Sequence, residues 1–313
     1  MREIVPTFRR LRAMPAMTLA DHAVIERPLR LPDVTLVCVD TANPDLGLYA
    51  VERSMERVRF GAAVFITRPD HGLAGFPPGL EVVTKEQVRS VADYSLFMLR
   101  GVLPYVNTSH CLVIQWDGFV LDPSMWSNDF LRFDYIAAVW PHFLRDGYSV
   151  GTGGFSLRSR RLLTALLDER IEPSHPEDLC IGRACRAHLE RYHGIAYADV
   201  ATAHRFAVEG MYENPSAFGF HGVHNLLRVL PSRELDRFLL EGPGPLFASG
   251  WMRRFIKHAL AQGEYTLARR ALVRRHANRK FDLSELRLWL RLYRARCLEA
   301  LRERVLGQSM PMR

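Results

Sequence analysis

The sequence predicts an α/β fold whose Rossmann-type, mostly parallel sheet is flanked by helices and followed by an all-helical C-terminal extension. Two observations support this prediction. Short apolar runs alternate with helical spacing over residues 34–66, and beyond Pro231 the apolar residues recur with helical spacing alone. Alternation of strand and helix is typical of βαβ units, in which neighbouring strands run parallel.

The N-terminal half contains runs of four to six apolar or β-branched residues that end in polar or proline-containing loops. Apolar residues with three- and four-residue spacing separate the first two runs and predict a helix. Thr84 and the three polar residues after it are typical of a helix start. The expected elements are a strand at 34–39, a helix at 48–58, strands at 62–66 and 80–83, and a helix from 84 to about 106.

The chain is organised around the stretch 111–122. Four apolar residues, Cys111 to Ile114, predict a buried strand, and Gln115, Trp116, Asp117 and Gly118 follow it directly. A carboxylate at the carboxyl end of a buried strand lies where open α/β sheets bind ligands. Residues 119–121 predict a second strand, with Asp117 at the tip between the two. A plain tight hairpin turn explains the Asp-Gly pair equally well.

Three later segments combine glycine, acidic residues or histidine with a turn or a helix start. Residues 150–159 read as a glycine-rich turn that enters a helix, and they lack the spacing of a dinucleotide fingerprint or a P-loop. Pro176, Glu177 and Asp178 read as the first turn of another helix. His221 lies in an aromatic-glycine loop.

Composition limits the class of protein. The chain has 313 residues, is 48% hydrophobic and 24% charged, and has no apolar run near the roughly 18 residues of a membrane span. Its five cysteines are scattered, which favours a reducing cytoplasm. We expect a lead-in over 1–33, a catalytic domain over 34–230 and a basic helical region over 231–313.

The positive charge is concentrated near the C-terminus. Residues 251–306 contain fifteen basic and five acidic residues, a net charge of +10, whereas the whole chain carries +8. Such a segment is most often a solvated helix face. An anionic membrane surface, facing the cytoplasm, is the functional alternative. Nucleic acid ranks low, because no aromatic residues are interleaved on a sheet.

Carboxylate and imidazole side chains at Asp117 and His221 suit a divalent metal, and a separate carboxylate at Glu177 or Asp178 can serve as a general base. Each group also has a plain structural explanation. An acid after Pro176 can simply cap a helix, and a histidine between phenylalanine and glycine can be a packed loop residue.

Four motifs taken together resemble a bacterial family of unknown function that is similar to GT-A-type glycosyltransferases. The resemblance covers about residues 34–225 and rests on the motifs at 115–120, 153–159, 176–178 and 218–222. It implies a GT-A-like fold and transfer of a sugar from a nucleotide-diphosphate donor to a hydroxyl of a glycan or lipid-linked acceptor, with inversion, in bacterial glycan or glycoconjugate synthesis.

The resemblance also assigns roles to residues. Asp117 corresponds to the last acid of a DxD motif and, with His221, would hold Mn²⁺ or Mg²⁺, although Gln115 stands where the first acid is expected. Asp178, or otherwise Glu177, corresponds to the catalytic base. The residues implied in binding the donor are Asp40, Thr41, Arg68, Arg100, Asp117, Gly153 and Gly154.

Two other functions remain open from the sequence. Gln115 in place of an acid favours a non-catalytic protein that binds a sugar nucleotide or glycan on a degenerate core. A nucleotidyltransferase shares the α/β core and the metal, but it usually has a basic phosphate-binding loop near the first strand. Residues 40–44 contain no lysine or arginine.

Overall fold

A computed structural model describes residues 28–140, 146–209, 216–242, 244–280 and 282–307. These residues divide into two compact units between Gly222 and Val223. The first unit contains all the strands and the second is helical. The domain limits predicted from the sequence, 34–230 and 231–313, stay a prediction, and most of the lead-in lies outside the described residues.

The first unit is built on a six-stranded sheet. Its order is β3-β2-β1-β4-β6-β5, in which β1 to β4 are parallel, while β6 is antiparallel to both of its neighbours. The mostly parallel α/β class is therefore confirmed. The six strands are β1 (Leu29–Val39), β2 (Val58–Thr67), β3 (Leu80–Thr84), β4 (His110–Ile114), β5 (Tyr135–Ala137) and β6 (Phe155–Ser159).

Helices cover the sheet and connect its strands. Apolar side chains from the strands and helices form one buried core, which includes Val37, Met98 and Val113. Two further short strands, β7 (Ala207–Val208) and β8 (Gly219–Phe220), pair with each other. The helices of this unit are α1 (Pro44–Arg57), α2 (Val91–Arg100), α3 (Arg160–Ala165), α4 (Glu177–Leu179), α5 (Arg186–His193) and α6 (Val200–Phe206).

The glycine-rich segment contains a strand that the sequence did not predict. Residues 155–159 form β6, whereas we expected the turn to lead directly into a helix. The strand is fully buried and contains Ser156 and Arg158, so it lacks the continuous apolar run that marks a buried strand. The helix α3 then starts at Arg160, directly after residues 150–159 as expected, and is capped by the hydroxyl of Ser159, which accepts from Leu162 N–H.

The helix expected from Thr84 is shorter than predicted. Thr84 is the last residue of β3, where it pairs with Thr67, so it cannot cap a helix. The start of α2 is instead set by Ser90 and Asp93, whose side chains and backbone amides form a complete capping box. Its first residue, Val91, is 70% exposed.

The second strand expected after Asp117 does not return along β4. The turn itself is present, because Gly118 N–H donates to Gln115 O at 3.0 Å. Leu121 N–H then donates to Phe218 O, and Val120 forms an isolated bridge with Gly219. This pairing joins residues about a hundred positions apart, so local periodicity could not predict it. It brings the loop containing His221 to the end of β4.

The second unit confirms the all-helical C-terminal region for the residues described. Arg275 is buried and pairs with the equally buried Glu285, at 2.7 Å between Nε and Oε1. Arg275 also donates to Phe247 O, so this pair joins three helices. The helices are α7 (Leu226–Val229), α8 (Ser232–Glu241), α9 (Gly244–Ala248), α10 (Gly250–Gln262), α11 (Tyr265–Asn278) and α12 (Leu283–Gly307).

Candidate functional site

The carboxyl ends of β1, β2 and β4 lie side by side because these strands are parallel neighbours. Asp40 follows β1, Arg68 follows β2 and Asp117 lies three residues after β4. Arg68 Nη1 donates to Thr41 O at 3.2 Å, so the loops after β1 and β2 are in contact. Four of the predicted residues, Asp40, Thr41, Arg68 and Asp117, therefore lie at one edge of the sheet.

Asp40 is a buried carboxylate with specific partners. Its Oδ1 accepts hydrogen bonds from Asn43 N–H at 2.7 Å and from Ala42 N–H at 3.0 Å. Burial raises the pKa of Asp40 to about 6, and the nearby charge of Asp117 adds to this effect. Its two amide donors and Arg68 act in the opposite direction. Burying this carboxylate costs free energy of desolvation. Carboxyl groups with such a raised pKa are typical of functional sites.

His221 lies between two acids and an amide. Its Nε2 is 3.3 Å from Asp117 Oδ1 and 3.2 Å from Gln115 Oε1, and its Nδ1 is 3.3 Å from Glu209 Oε1. Burial opposes protonation of the ring. The carboxylates of Asp117 and Glu209 outweigh it and raise the pKa of His221 well above its usual value.

The donor atoms around His221 Nε2 fit a divalent cation. A carboxylate oxygen, an imidazole nitrogen and an amide oxygen are ligands that Mn²⁺ accepts. Glu209 lies on the opposite ring nitrogen, where a carboxylate commonly fixes the tautomer of a metal-binding histidine. Gln115 is itself held in place, because its Nε2 donates to the Tyr94 hydroxyl at 2.9 Å. It is an ordered part of the site.

Gly153 and Gly154 lie between the Asp117 end of the site and the acids of α4. A Cβ added at Gly154 would lie 2.1 Å from His221 Nε2, and one added at Gly153 would lie 2.4 Å from Glu177 Oε1 and 3.1 Å from Asp178 Cβ. Only glycine allows such close approach. Because the two glycines are adjacent, the histidine and the acids both lie close to one dipeptide.

The two acids of α4 have different surroundings. Glu177 is buried and forms an ion pair with the fully buried Arg158, at 3.1 Å between Oε1 and Nη2. Asp178 is partly exposed and accepts from Gly153 N–H at 3.3 Å and from Leu179 N–H at 2.8 Å. Burial and the charge of Glu177 raise the pKa of Asp178 above its ordinary value. Asp178 therefore combines access to solvent with a raised pKa.

Three residues contribute to the site that sequence reasoning did not select. Arg158 donates to Ser156 Oγ, to Gly153 O and to Glu177, so it holds the glycine turn against α4. Tyr94 holds Gln115, and Glu209 lies on His221. A charged residue inside a short strand was the one available signal for Arg158. No local pattern marks the other two, because their partners are distant in sequence.

Arg100 is engaged away from Asp117. Its guanidinium donates to the carbonyl oxygens of Leu166, Asp168 and Ile171 in the loop that follows α3. These contacts give Arg100 a structural role in fixing that loop. We therefore leave it out of the donor-binding residues proposed below.

Comparison with known proteins adds a family match that covers the motifs from β4 onward. Residues 79–221 match a family described as a protein of unknown function (DUF5672). The matched segment includes Asp117, the glycine pair, both acids of α4 and His221. It leaves out Asp40, Thr41 and Arg68. Among curated proteins, none matches this sequence.

Among solved structures, the chain is similar to the mannosyltransferase PcManGT from Pyrobaculum calidifontis, in complex with GDP-Man and Mn²⁺. The identity is 11%, the TM-score is 0.38, and the match covers 97% of this chain and 82% of the other. A TM-score this low establishes no shared function, so the proposal below rests on the geometry of the site. No helix among the described residues is long and apolar enough to cross a membrane.

Proposed function

We propose that this protein is a glycosyltransferase that moves a sugar from a nucleotide-diphosphate donor to a hydroxyl acceptor. The supporting observation is the glycine pair, because Gly154 closely approaches His221 of the Asp117–His221 cluster and the adjacent Gly153 closely approaches Asp178. A transferase needs groups for a charged leaving diphosphate and a base for the acceptor on opposite sides of the reacting sugar. The absence of side chains at both glycines allows the histidine and the acids to pack against the same short turn.

Each group then has one role in the reaction. Asp178 takes the proton of the acceptor hydroxyl, whose oxygen forms the new bond to the anomeric carbon. The bond from that carbon to the phosphate oxygen breaks, and the nucleoside diphosphate leaves. Asp117 and His221, with Gln115 Oε1, are the residues that would hold Mn²⁺ or Mg²⁺, which when bound neutralises charge on the diphosphate. Attack from the Asp178 side inverts the anomeric centre.

The donor would bind at the edge of the sheet formed by the carboxyl ends of β1, β2 and β4. The loop residues Asp40 and Thr41, with Arg68 beside them, lie after β1 and β2, where open α/β sheets hold nucleotides. Arg68 is the cation in this group.

The alternative function is a non-catalytic protein that binds a sugar nucleotide or glycan. Gln115 in place of an acid favours it, because an amide oxygen is a weaker cation ligand than a carboxylate. The pairing of Gln115 with Tyr94 and His221 shows an ordered position, which either function can use. Turnover separates the two, since a binder releases no nucleoside diphosphate.

A thermal-shift screen should identify the donor class. UDP-, GDP- and dTDP-sugars would be tested with and without Mn²⁺, and a CMP-sugar serves as a control without a diphosphate. Ligand at about a hundred times its dissociation constant adds about 2.7 kcal/mol to the free energy of unfolding. We expect one diphosphate class to stabilise the protein only with Mn²⁺, and this shift to vanish in Asp117→Ala. Stabilisation by no donor would contradict the proposal.

We further propose that the C-terminal helices bring the enzyme to an anionic membrane from its cytoplasmic side. Helix α12 has exposed apolar residues at helical spacing, and exposed arginines lie beside them. An apolar stripe bordered by arginine is typical of helices that lie in an anionic membrane surface. The apolar residues are Leu283, Leu286, Leu290, Tyr293 and Leu298, and the arginines are Arg287, Arg291, Arg294 and Arg296.

Vesicle sedimentation would test this surface. The protein should bind vesicles that contain phosphatidylglycerol, bind neutral vesicles weakly, and dissociate as salt screens the charges. The double variant Leu290→Ser, Tyr293→Ser should lose this binding. Val91→Ser, which removes an equally exposed apolar side chain from α2, should keep it. Equal binding by both variants would contradict the proposal.

A further inference from the structure

A second group of potential metal ligands lies outside the candidate active site. Asp168 follows α3, while His188 and His193 both belong to α5. Asp168 Oδ2 is 3.0 Å from His188 Nε2 and 2.8 Å from His193 Nε2. Among the residues that the structure describes, this is the group of three metal-ligating side chains whose donor atoms converge, all within 4.8 Å of one another.

The fold holds this group in place from both sides. The backbone of Asp168 is fixed by Arg100, which donates to its carbonyl oxygen and to that of Ile171. The helix α5 ends immediately after His193 at Gly194, whose positive φ of 61° gives a left-handed helix cap. Two imidazoles five positions apart on α5 therefore face one carboxylate from the preceding loop.

The carboxylate is also oriented by a second set of contacts. Oδ1 of Asp168 accepts from the backbone N–H of Arg170 at 2.9 Å and from its Nε at 3.0 Å. The backbone bond does not depend on the Arg170 side chain, and it holds Oδ1 while Oδ2 faces both histidines. The Nη2 atom of Arg170 reaches Oδ2 at 2.7 Å, but that side chain is 61% exposed and can withdraw without breaking a buried contact.

We propose that Asp168, His188 and His193 form a binding site for a transition-metal cation, with Zn²⁺ as the best fit. Two imidazole nitrogens and one carboxylate oxygen are a common zinc ligand set, and a solvent molecule completes the tetrahedron. All three side chains are partly exposed, so a cation and its water have access. Arg170, Cys185 and His188 line a hollow that opens beside the site.

This cation would connect the segments on either side of α4. Asp168 belongs to the loop that leads into Glu177 and Asp178, while α5 follows them after the π-helical turn Cys180–Ala184. A metal bound to both would restrain that loop against α5. The site is separate from Asp117 and His221, and its existence does not depend on the proposed sugar transfer.

Metal titration of the full chain, expressed without a histidine tag and stripped with EDTA, tests the proposal. Co²⁺ reports tetrahedral coordination by its visible absorption, and Zn²⁺ affinity follows from competition with a chromophoric chelator. We expect one equivalent of Co²⁺ to account for the tetrahedral absorption of wild type, with any metal at Asp117 and His221 additional to it. Affinity should be at least about a hundredfold lower in His193→Ala, because even second-shell changes cost 10–100-fold. The control His204→Ala removes an exposed histidine from α6 and should bind as wild type does.

Two more variants make the assignment specific. Arg170→Met should bind Zn²⁺ more tightly than wild type, because a cation competing for Asp168 Oδ2 is removed. His221→Ala should keep the Co²⁺ absorption, which excludes the candidate donor site as its source. Circular dichroism would verify that each variant is folded. The proposal would be overturned by absence of the absorption in wild type, by its survival in His193→Ala, or by its loss in His221→Ala. The three residues would then form only a hydrogen-bonded cluster that binds no metal.

Discussion

Replacing Asp178 with asparagine is expected to leave the fold intact and to lower turnover by about 10²–10⁴-fold, the usual contribution of a positioned general base. Asparagine keeps an oxygen that can accept from Gly153 N–H, so the geometry of the turn is retained. The ability to take the acceptor proton is lost, together with one of the two backbone hydrogen bonds that the carboxylate accepts. Steady-state rates with donor and acceptor, together with thermal unfolding, measure the two effects separately.

The pH profile adds a second measurement of the same role. Only the ionised carboxylate accepts a proton, so wild-type turnover should fall as pH decreases through the pKa of Asp178. Burial and Glu177 raise this pKa, and the loss should therefore begin at a higher pH than for an exposed aspartate. The residual activity of Asp178→Asn should lack this acidic limb. An unchanged limb in the variant would assign the titration to another group.

Glu177→Gln provides the matched comparison and should show the opposite pattern. Its carboxylate pairs with Arg158, and both side chains are buried. Neutralising one partner of a buried ion pair leaves an uncompensated charge and typically costs about 3–5 kcal/mol of unfolding free energy. We therefore expect a large loss of stability and a smaller loss of turnover per folded molecule. Stable but inactive Glu177→Gln, with active Asp178→Asn, would reverse the two roles.

Gly154→Ala is expected to disable the site through a single methyl group. The added Cβ would lie 2.1 Å from His221 Nε2, closer than two such atoms can approach, so the histidine or the turn must move. A displacement of about 1 Å at a reacting centre costs on the order of a hundredfold in rate. Donor binding that depends on Mn²⁺ should weaken as well, because His221 is one of the proposed ligands.

Gly250→Ala is the control for this substitution. Apart from its chain neighbours and the backbone of its own helix, no heavy atom lies within 4 Å of a Cβ placed there, and the residue begins helix α10. Alanine is a better helix former than glycine, so this variant should be at least as stable as wild type and equally active. Equal rates and equal metal-dependent donor binding in Gly154→Ala and Gly250→Ala would contradict the proposed placement of sugar beside the glycine pair.

The sequence predicted the strand ends well because they follow a simple physical rule. Four buried apolar residues followed by Gln115 and Asp117 can form only a short buried element with polar groups at its end. The family resemblance indicated Asp40 and Arg68, and the parallel order of β1 and β2 places both at the same edge. These predictions needed local patterns and one topological inference, and the described sheet bears out that topology.

The contacts between distant segments were beyond such reasoning. Arg158 lies in a fully buried strand only because Glu177 lies opposite it, and neither residue reveals the other in sequence. Nothing in the local sequence distinguishes Tyr94 from other helix residues, and its role follows only from the hydrogen bond that its hydroxyl accepts from Gln115. The Val120–Gly219 bridge, which places the loop containing His221 at the end of β4, joins residues about a hundred positions apart. Such contacts form only in the folded chain. They determine the geometry of the candidate site, but no local sequence pattern predicts them.

The measurement that tests the central claim most directly is release of nucleoside diphosphate from a sugar-nucleotide donor. Wild type, wild type with EDTA, and Asp117→Ala would be compared with the donor selected by thermal shift, with Mn²⁺ present in the first and third samples. We predict steady release by wild type with Mn²⁺ and none above background in the other two. Binding without release by wild type would favour the non-catalytic alternative, and equal release by Asp117→Ala would contradict the site described.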